Sequence, residues 1–138
     1  MRGKKPSPKY STVMLIDDSE IDNFINSKMI EGCNFSEHIY MHTSSKSALE
    51  FLKNIETVGE ASKKLIPEVI FLDINMPIMD GFQFIDEFDK LDTAITSACK
   101  IYLLTASQNP SDIERSKKSK LIVAHISKPL SQQMLTEL

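Results

Sequence analysis

The feature that most constrains this chain is a set of short, uninterrupted apolar runs that stop abruptly at polar residues. They are Val13-Met14-Leu15-Ile16, Val69-Ile70-Phe71-Leu72, Ile101-Tyr102-Leu103-Leu104 and Leu121-Ile122-Val123-Ala124. A strand with one wet face alternates apolar and polar residues, whereas a short continuous run suits a strand covered on both faces. A further strand is expected over His38 to His42. Between the runs, apolar residues recur at helical spacing. Ile21, Phe24, Ile25 and Met29 form one such set, with Asp17-Asp18-Ser19 placed to cap it and Gly32 placed to close it. Ala48, Phe51, Leu52 and Ile55 form a second. Phe82, Phe84, Ile85, Phe88 and Leu91 form a third, after a turn at Asp80-Gly81. Asn109-Pro110 reads as the N-cap and first position of a fourth helix, whose one strong apolar residue is Ile113. Leu130 to Leu138 forms a short last helix, and 56–66 and 92–98 read as connections. Five strands alternating with helices imply an α/β fold: a parallel sheet, helices on both faces, right-handed crossovers.

At 138 residues the chain suits one domain. Residues 1–10, with Arg2, Lys4, Lys5, Lys9, Pro6 and Pro8, read as a flexible tail, and 11–138 as the domain. A net charge of -3 argues against a general nucleic-acid binder. No apolar run approaches the roughly 20 residues of a membrane helix, and no secretory signal follows the basic N-terminus. Cys33 and Cys99 have no metal-ligand spacing and read as reduced packing residues of a cytoplasmic protein.

The chemistry gathers where strands end. In parallel sheets ligands bind beyond the carboxyl ends of the strands, near the point where strand order reverses. The first run ends in Asp17-Asp18, the third strand in Asp73, the fourth in Thr105, and the fifth reaches Lys128 just past its apolar core. Each has an ordinary explanation taken singly: Asp18 as a helix cap, Asp73 as a turn residue, Thr105 as a packed hydroxyl, Lys128 as a solvated lysine. Together they place three carboxylates, a hydroxyl and an ammonium on one rim. Crowded carboxylates repel and raise each other's pKa unless a cation compensates. Mg2+ prefers oxygen ligands and keeps open positions that a phosphoryl oxygen can fill.

From about Thr12 to Leu135 the chain resembles the receiver domain of two-component response regulators. The strongest segment is Leu72-Asp73-Ile74-Asn75-Met76-Pro77-Ile78-Met79-Asp80-Gly81, which looks like the family's phosphorylation-site loop. The acidic pair, the Thr after strand four and Lys128-Pro129 follow the family's order. The resemblance implies a flavodoxin-like, doubly wound sheet of order 2-1-3-4-5. It implies Asp73 as phosphoacceptor, with Mg2+ held by Asp17, Asp18, Asp73 and the carbonyl of Asn75. Thr105 and Lys128 would contact the phosphoryl oxygens, and Lys128-Pro129 is often cis in the family. The donor would be a sensor histidine kinase or a histidine phosphotransfer protein. The product would be a signalling switch that phosphorylates and dephosphorylates itself and signals to a protein partner by conformational change, rather than an enzyme turning over substrate. Thr105 and the residue at position 125 would couple phosphorylation to the output face; His125 stands where Tyr or Phe is commoner. The fourth helix, fifth strand and fifth helix would form that face, including any homodimer contact, with Arg115 to Lys120 making part of it basic. Ser107 and the Asn75 side chain would influence water access to the phosphate. No output domain follows residue 138, which fits a stand-alone receiver or one cut from a longer chain.

Two alternatives use the same residue types. A haloacid-dehalogenase-type phosphatase needs a second Asp two residues past its nucleophile; Asn75 stands there, and the acidic pair precedes Asp73. A receiver that binds partners without being phosphorylated would keep the fold but not react with a phosphodonor.

Overall fold

The computed structural model describes residues 7–106 and 109–138. The strands are β1 (Tyr10–Ile16), β2 (Ser36–His42), β3 (Val69–Asp73), β4 (Lys100–Thr105) and β5 (Ile122–Ser127). The main helices are α1 (Glu20–Gly32), α2 (Ser45–Val58), α3 (Gly81–Phe88), α4 (Pro110–Lys117) and α5 (Gln132–Glu137). A 3-10 helix at Gly59–Leu65 and one helical turn at Thr93–Thr96 occupy the two segments read as connections. All neighbouring strands are parallel, in the order β2-β1-β3-β4-β5. The architecture is the flavodoxin-like one that the resemblance implied.

Successive strand residues point to opposite faces, which splits the core in two. Met14, Ile16, Ile70 and Leu72 pack with α2 and α3, burying Phe84 and Phe88 completely. Val13, Leu15, Phe71 and Leu104 face the other way, with Ile30 of α1 and Leu130 and Leu135 around α5. Full burial of each such side chain stabilises the fold by about 1.5–3 kcal/mol. Cys33 and Cys99 are free thiols that pack against different faces of the sheet, and burial pushes the Cys99 thiol up to about 12. Among the described residues, no helix is long and apolar enough to cross a membrane.

Four local readings change in the structure. β1 begins at Tyr10, inside the stretch read as tail, because the Tyr10 ring packs 5.1 Å from that of Phe35. Gly32 is the last helical residue rather than the cap; Cys33 caps α1, and the positive φ falls on Asn34 at 52°. The fifth strand lies further along than its apolar run. Being an edge strand, β5 leaves Val123 56% exposed and buries only Ile126.

The largest change is in α1, which turns Ile21, Phe24 and Ile25 outward while Ile30 stays in the core. Ile21 is 70% and Phe24 59% exposed, while Asn23, Asn26 and Ser27 are buried. The inward asparagines bond backbone groups of three turns. Asn23 Nδ2 donates to the carbonyls of Asp17 (3.0 Å) and His42 (3.2 Å). Asn26 Oδ1 accepts from the Leu130 amide at 2.9 Å. These bonds fasten the β1–α1, β2–α2 and β5–α5 turns to one helix, and those turns build the rim of the sheet.

The loop from β3 to α3 is equally constrained. A Cβ on Gly81 would sit 2.7 Å from the Asp73 carbonyl oxygen, so only glycine fits without a backbone shift. Within the loop, Ile78 has φ 70° and is fully exposed, at the centre of a tight turn closed by Met79 N–H to Pro77 C=O at 2.8 Å. A β-branched residue in that region is strained by about 1–3 kcal/mol.

Two glycine substitutions should therefore diverge in urea unfolding. Gly81→Ala is expected to destabilise by about 1–3 kcal/mol, because the new methyl overlaps backbone. Gly32→Ala, whose Cβ meets nothing within 4 Å, is expected to stabilise by about 0.5–1 kcal/mol.

Candidate functional site

Asp17 follows β1 directly, Asp73 is the last residue of β3, Thr105 is the last of β4, and Lys128 follows β5. The register aligns these ends: Ile16 pairs with Leu72, Asp73 with Leu104, and Thr105 with Ser127. The Lys128 amide donates to the Thr105 carbonyl at 3.0 Å, which extends the ladder to the lysine, and the Lys128-Pro129 bond is cis.

One carboxylate oxygen from each of Asp17, Asp18 and Asp73 lies within 4.8 Å of the others. Asp17 and Asp73 are buried, and Asp18 is exposed. Asp18 does not cap α1. That role falls to Ser19, whose hydroxyl accepts from the Asp22 amide at 3.2 Å, while Asp17 Oδ1 accepts from the Ser19 amide at 3.0 Å. The Asp18 side chain is thereby left to the cluster.

Lys128 Nζ lies 2.6 Å from Asp17 Oδ2, 3.1 Å from Asp22 Oδ2 and 3.3 Å from Asp73 Oδ1. Burial opposes the ammonium's charge. Its hydrogen bond to Asp17, the attraction of Asp73 and its hydrogen bond to Asp22 outweigh that, and its pKa moves up. Asp73 moves the other way. Burial, then the charge of Asp17 and to a lesser degree that of Asp18, push its carboxyl up to about 6 against the pull of Lys128. One ammonium thus leaves the three clustered carboxylates undercompensated. Hard oxygen donors, crowding and residual negative charge make this a set of residues that fits a divalent cation.

Of the other residues singled out in the sequence, Thr105 is buried at the same rim, and Asn75 is exposed in the loop just past Asp73. His125 is half-buried on β5 opposite Leu103, on the edge strand rather than in the carboxylate cluster. Ser107 lies outside the described residues. The sequence reading missed Asp22. It sits in the first turn of α1, where an acidic residue is ordinary, and only the fold brings it within reach of a lysine 106 positions away.

The family model of the response regulator receiver domain matches residues 13–138. A two-component response regulator from Cytophaga hutchinsonii is similar in structure, with a TM-score of 0.82 and 30% identity over 94% of this chain and 93% of that one. A response regulator receiver protein from Dyadobacter fermentans DSM 18053 has a TM-score of 0.79 and 25% identity over 92% and 93%. The Helicobacter pylori sensor histidine kinase CheAY is 31% identical over 132 residues, which is 96% of this chain but 15% of that protein.

The raised carboxyl of Asp73 predicts a pH signature in metal-free buffer. The folded chain holds a proton there up to about pH 6, whereas the group's ordinary value is 3.8. The residue therefore costs stability at neutral pH, and that cost disappears as pH falls through this window. Asp73→Asn is expected to melt above the wild type at pH 7.5, with the gap closing toward pH 4. Thermal melts across that range in chelator check it.

Proposed function

Because the chain belongs to the response regulator receiver domain family, we propose that Asp73 accepts a phosphoryl group and that the resulting change of shape carries a signal. The observation that carries this reading is a buried Asp73 carboxylate clustered with Asp17 and Asp18, 3.3 Å from the ammonium of Lys128. As donor we propose a phosphohistidine on a sensor histidine kinase or a phosphotransfer protein. The similar segment within a sensor histidine kinase supports that choice.

In the proposed step a carboxylate oxygen of Asp73 attacks phosphorus. The donor's P–N bond breaks, the imidazole leaves with the electron pair, and an acyl phosphate remains on Asp73. Such a transfer depends on positioning and charge neutralisation more than on covalent machinery. Lys128, fixed by the β5–α5 turn, keeps one charge against the transferred oxygens. The Thr105 hydroxyl is assigned to another of them. Asp17, Asp18, Asp73 and the Asn75 carbonyl would hold Mg2+, which supplies further neutralisation of the phosphoryl oxygens when bound. Later attack by water on phosphorus returns Asp73 to the carboxylate and releases inorganic phosphate.

For the output we propose that Thr105 moves with the phosphoryl group and that His125, two residues before the Thr105 partner Ser127, follows it. The receiving face would be α4, β5 and α5. There Val123 provides exposed apolar surface suited to a protein partner or a second copy of the chain, and the basic residues of α4 border it, with Arg115 turned toward Phe82 of α3.

With acetyl phosphate and Mg2+, intact-mass measurement is expected to show a gain of one phosphoryl group. The gain should vanish with chelator and in Asp73→Asn. Lys128→Gln should slow it by about 100-fold. A gain that persists in Asp73→Asn contradicts the assignment of the acceptor.

A further inference from the structure

The proposed chemistry leaves one close contact of its central lysine unused. Asp22 Oδ2 accepts a hydrogen bond from Lys128 Nζ at 3.1 Å, slightly closer than Asp73 Oδ1 at 3.3 Å. An ammonium has three protons, and Asp17, Asp22 and Asp73 supply three acceptors. Asp17 is buried, but the Asp22 side chain is 40% exposed. The Asp22–Lys128 pair lines a cleft of about 250 Å3 between α1 and the β5–α5 turn, together with Ile25, Asn26, Ala106 and Pro129. An anion entering there meets a lysine whose charge is already shared with a carboxylate on the open side.

The charge balance gives this contact a direction. A divalent cation and one ammonium match the three carboxylates of Asp17, Asp18 and Asp73. Asp22 adds a fourth carboxylate, 3.1 Å from the same ammonium. Resting on the reading of Asp73 as phosphoacceptor, we propose that Asp22 is a specificity-determining positioning residue. It draws Lys128 toward α1 and so disfavours small, free, anionic phosphodonors. The physical basis is repulsion of like charge and a weaker field from Lys128 along the path of the transferred group. A half-exposed charge acts through partly solvated space, so salt should weaken its effect.

A purely structural role for Asp22 is the competing account, since an acid in a first helical turn is favourable on its own. Glu20 separates the two. It is exposed in the same turn and makes none of the described ion pairs to Lys128. Initial rates of Mg2+-dependent phosphorylation are measured for wild type, Asp22→Asn and Glu20→Gln, with acetyl phosphate from low to high ionic strength. Asp22→Asn is expected to raise kcat/KM about fivefold at low salt, a size ordinary for one half-exposed ion pair. The gain should shrink as salt is added, and Glu20→Gln should give much less of it. Both variants should lose a little thermal stability, because both acids face the same helix N-terminus.

If wild type reacts and Asp22→Asn reacts no faster, the inference is overturned while the acceptor reading stands. An equal rise in Glu20→Gln, or a rise indifferent to salt, overturns it as well. If wild type takes no phosphoryl group at all, the acceptor reading fails and this inference fails with it.

Discussion

The arrangement depends on one largely covered ammonium. Lys128 meets carboxylates that arrive from three places in the chain: Asp17 after β1, Asp22 on α1 and Asp73 at the end of β3. Two of these carboxylates are almost fully buried. Burying such groups without a positive partner would cost several kcal/mol per ion, so the lysine is what makes the cluster tolerable. The compensation is incomplete: burial first, and then the charge of Asp17, still hold the Asp73 carboxyl above its ordinary range. Crowded, incompletely compensated carboxylates of this kind suit a divalent cation.

Position is the second requirement, and the scaffold supplies it through backbone. The parallel register sets Asp73 and Thr105 at adjacent strand ends, and the Thr105 carbonyl holds the Lys128 amide. Asn23 and Asn26 give up the usual apolar face of an amphipathic helix in order to bind three turns around the rim. Gly81 lets α3 begin directly against the Asp73 carbonyl. The apolar core fixes where the strands lie. These polar contacts fix where their ends lie, and with them the positions of Asp17, Asp73, Thr105 and Lys128.

Much of this was legible in the sequence. The apolar runs ending at Asp17, Asp73 and Thr105 marked the strands and the rim together, since a strand buried on both faces can carry a polar group only where it leaves the sheet. Other features depended on tertiary context. Ile21, Phe24 and Ile25 recur as a buried stripe would, yet they face solvent, because periodicity reveals a helix face but not which face turns inward. Asp22 escaped notice in the sequence because its partner is 106 residues away. The run Leu121 to Ala124 resembled a central strand, although an edge strand has a neighbour on one side only. His125 lies on that edge, where the sequence alone does not determine how deeply a side chain packs.

The central claim is that Asp73, and no other group, becomes the acyl phosphate. Borohydride reduces an acyl phosphate on aspartate to the alcohol, which marks the acceptor permanently. Peptide mass spectrometry of the phosphodonor- and Mg2+-treated chain after such reduction tests the claim most directly. The account predicts homoserine at position 73. Homoserine at Asp17, Asp18 or Asp22, or a phosphoryl group found on histidine instead, would contradict it.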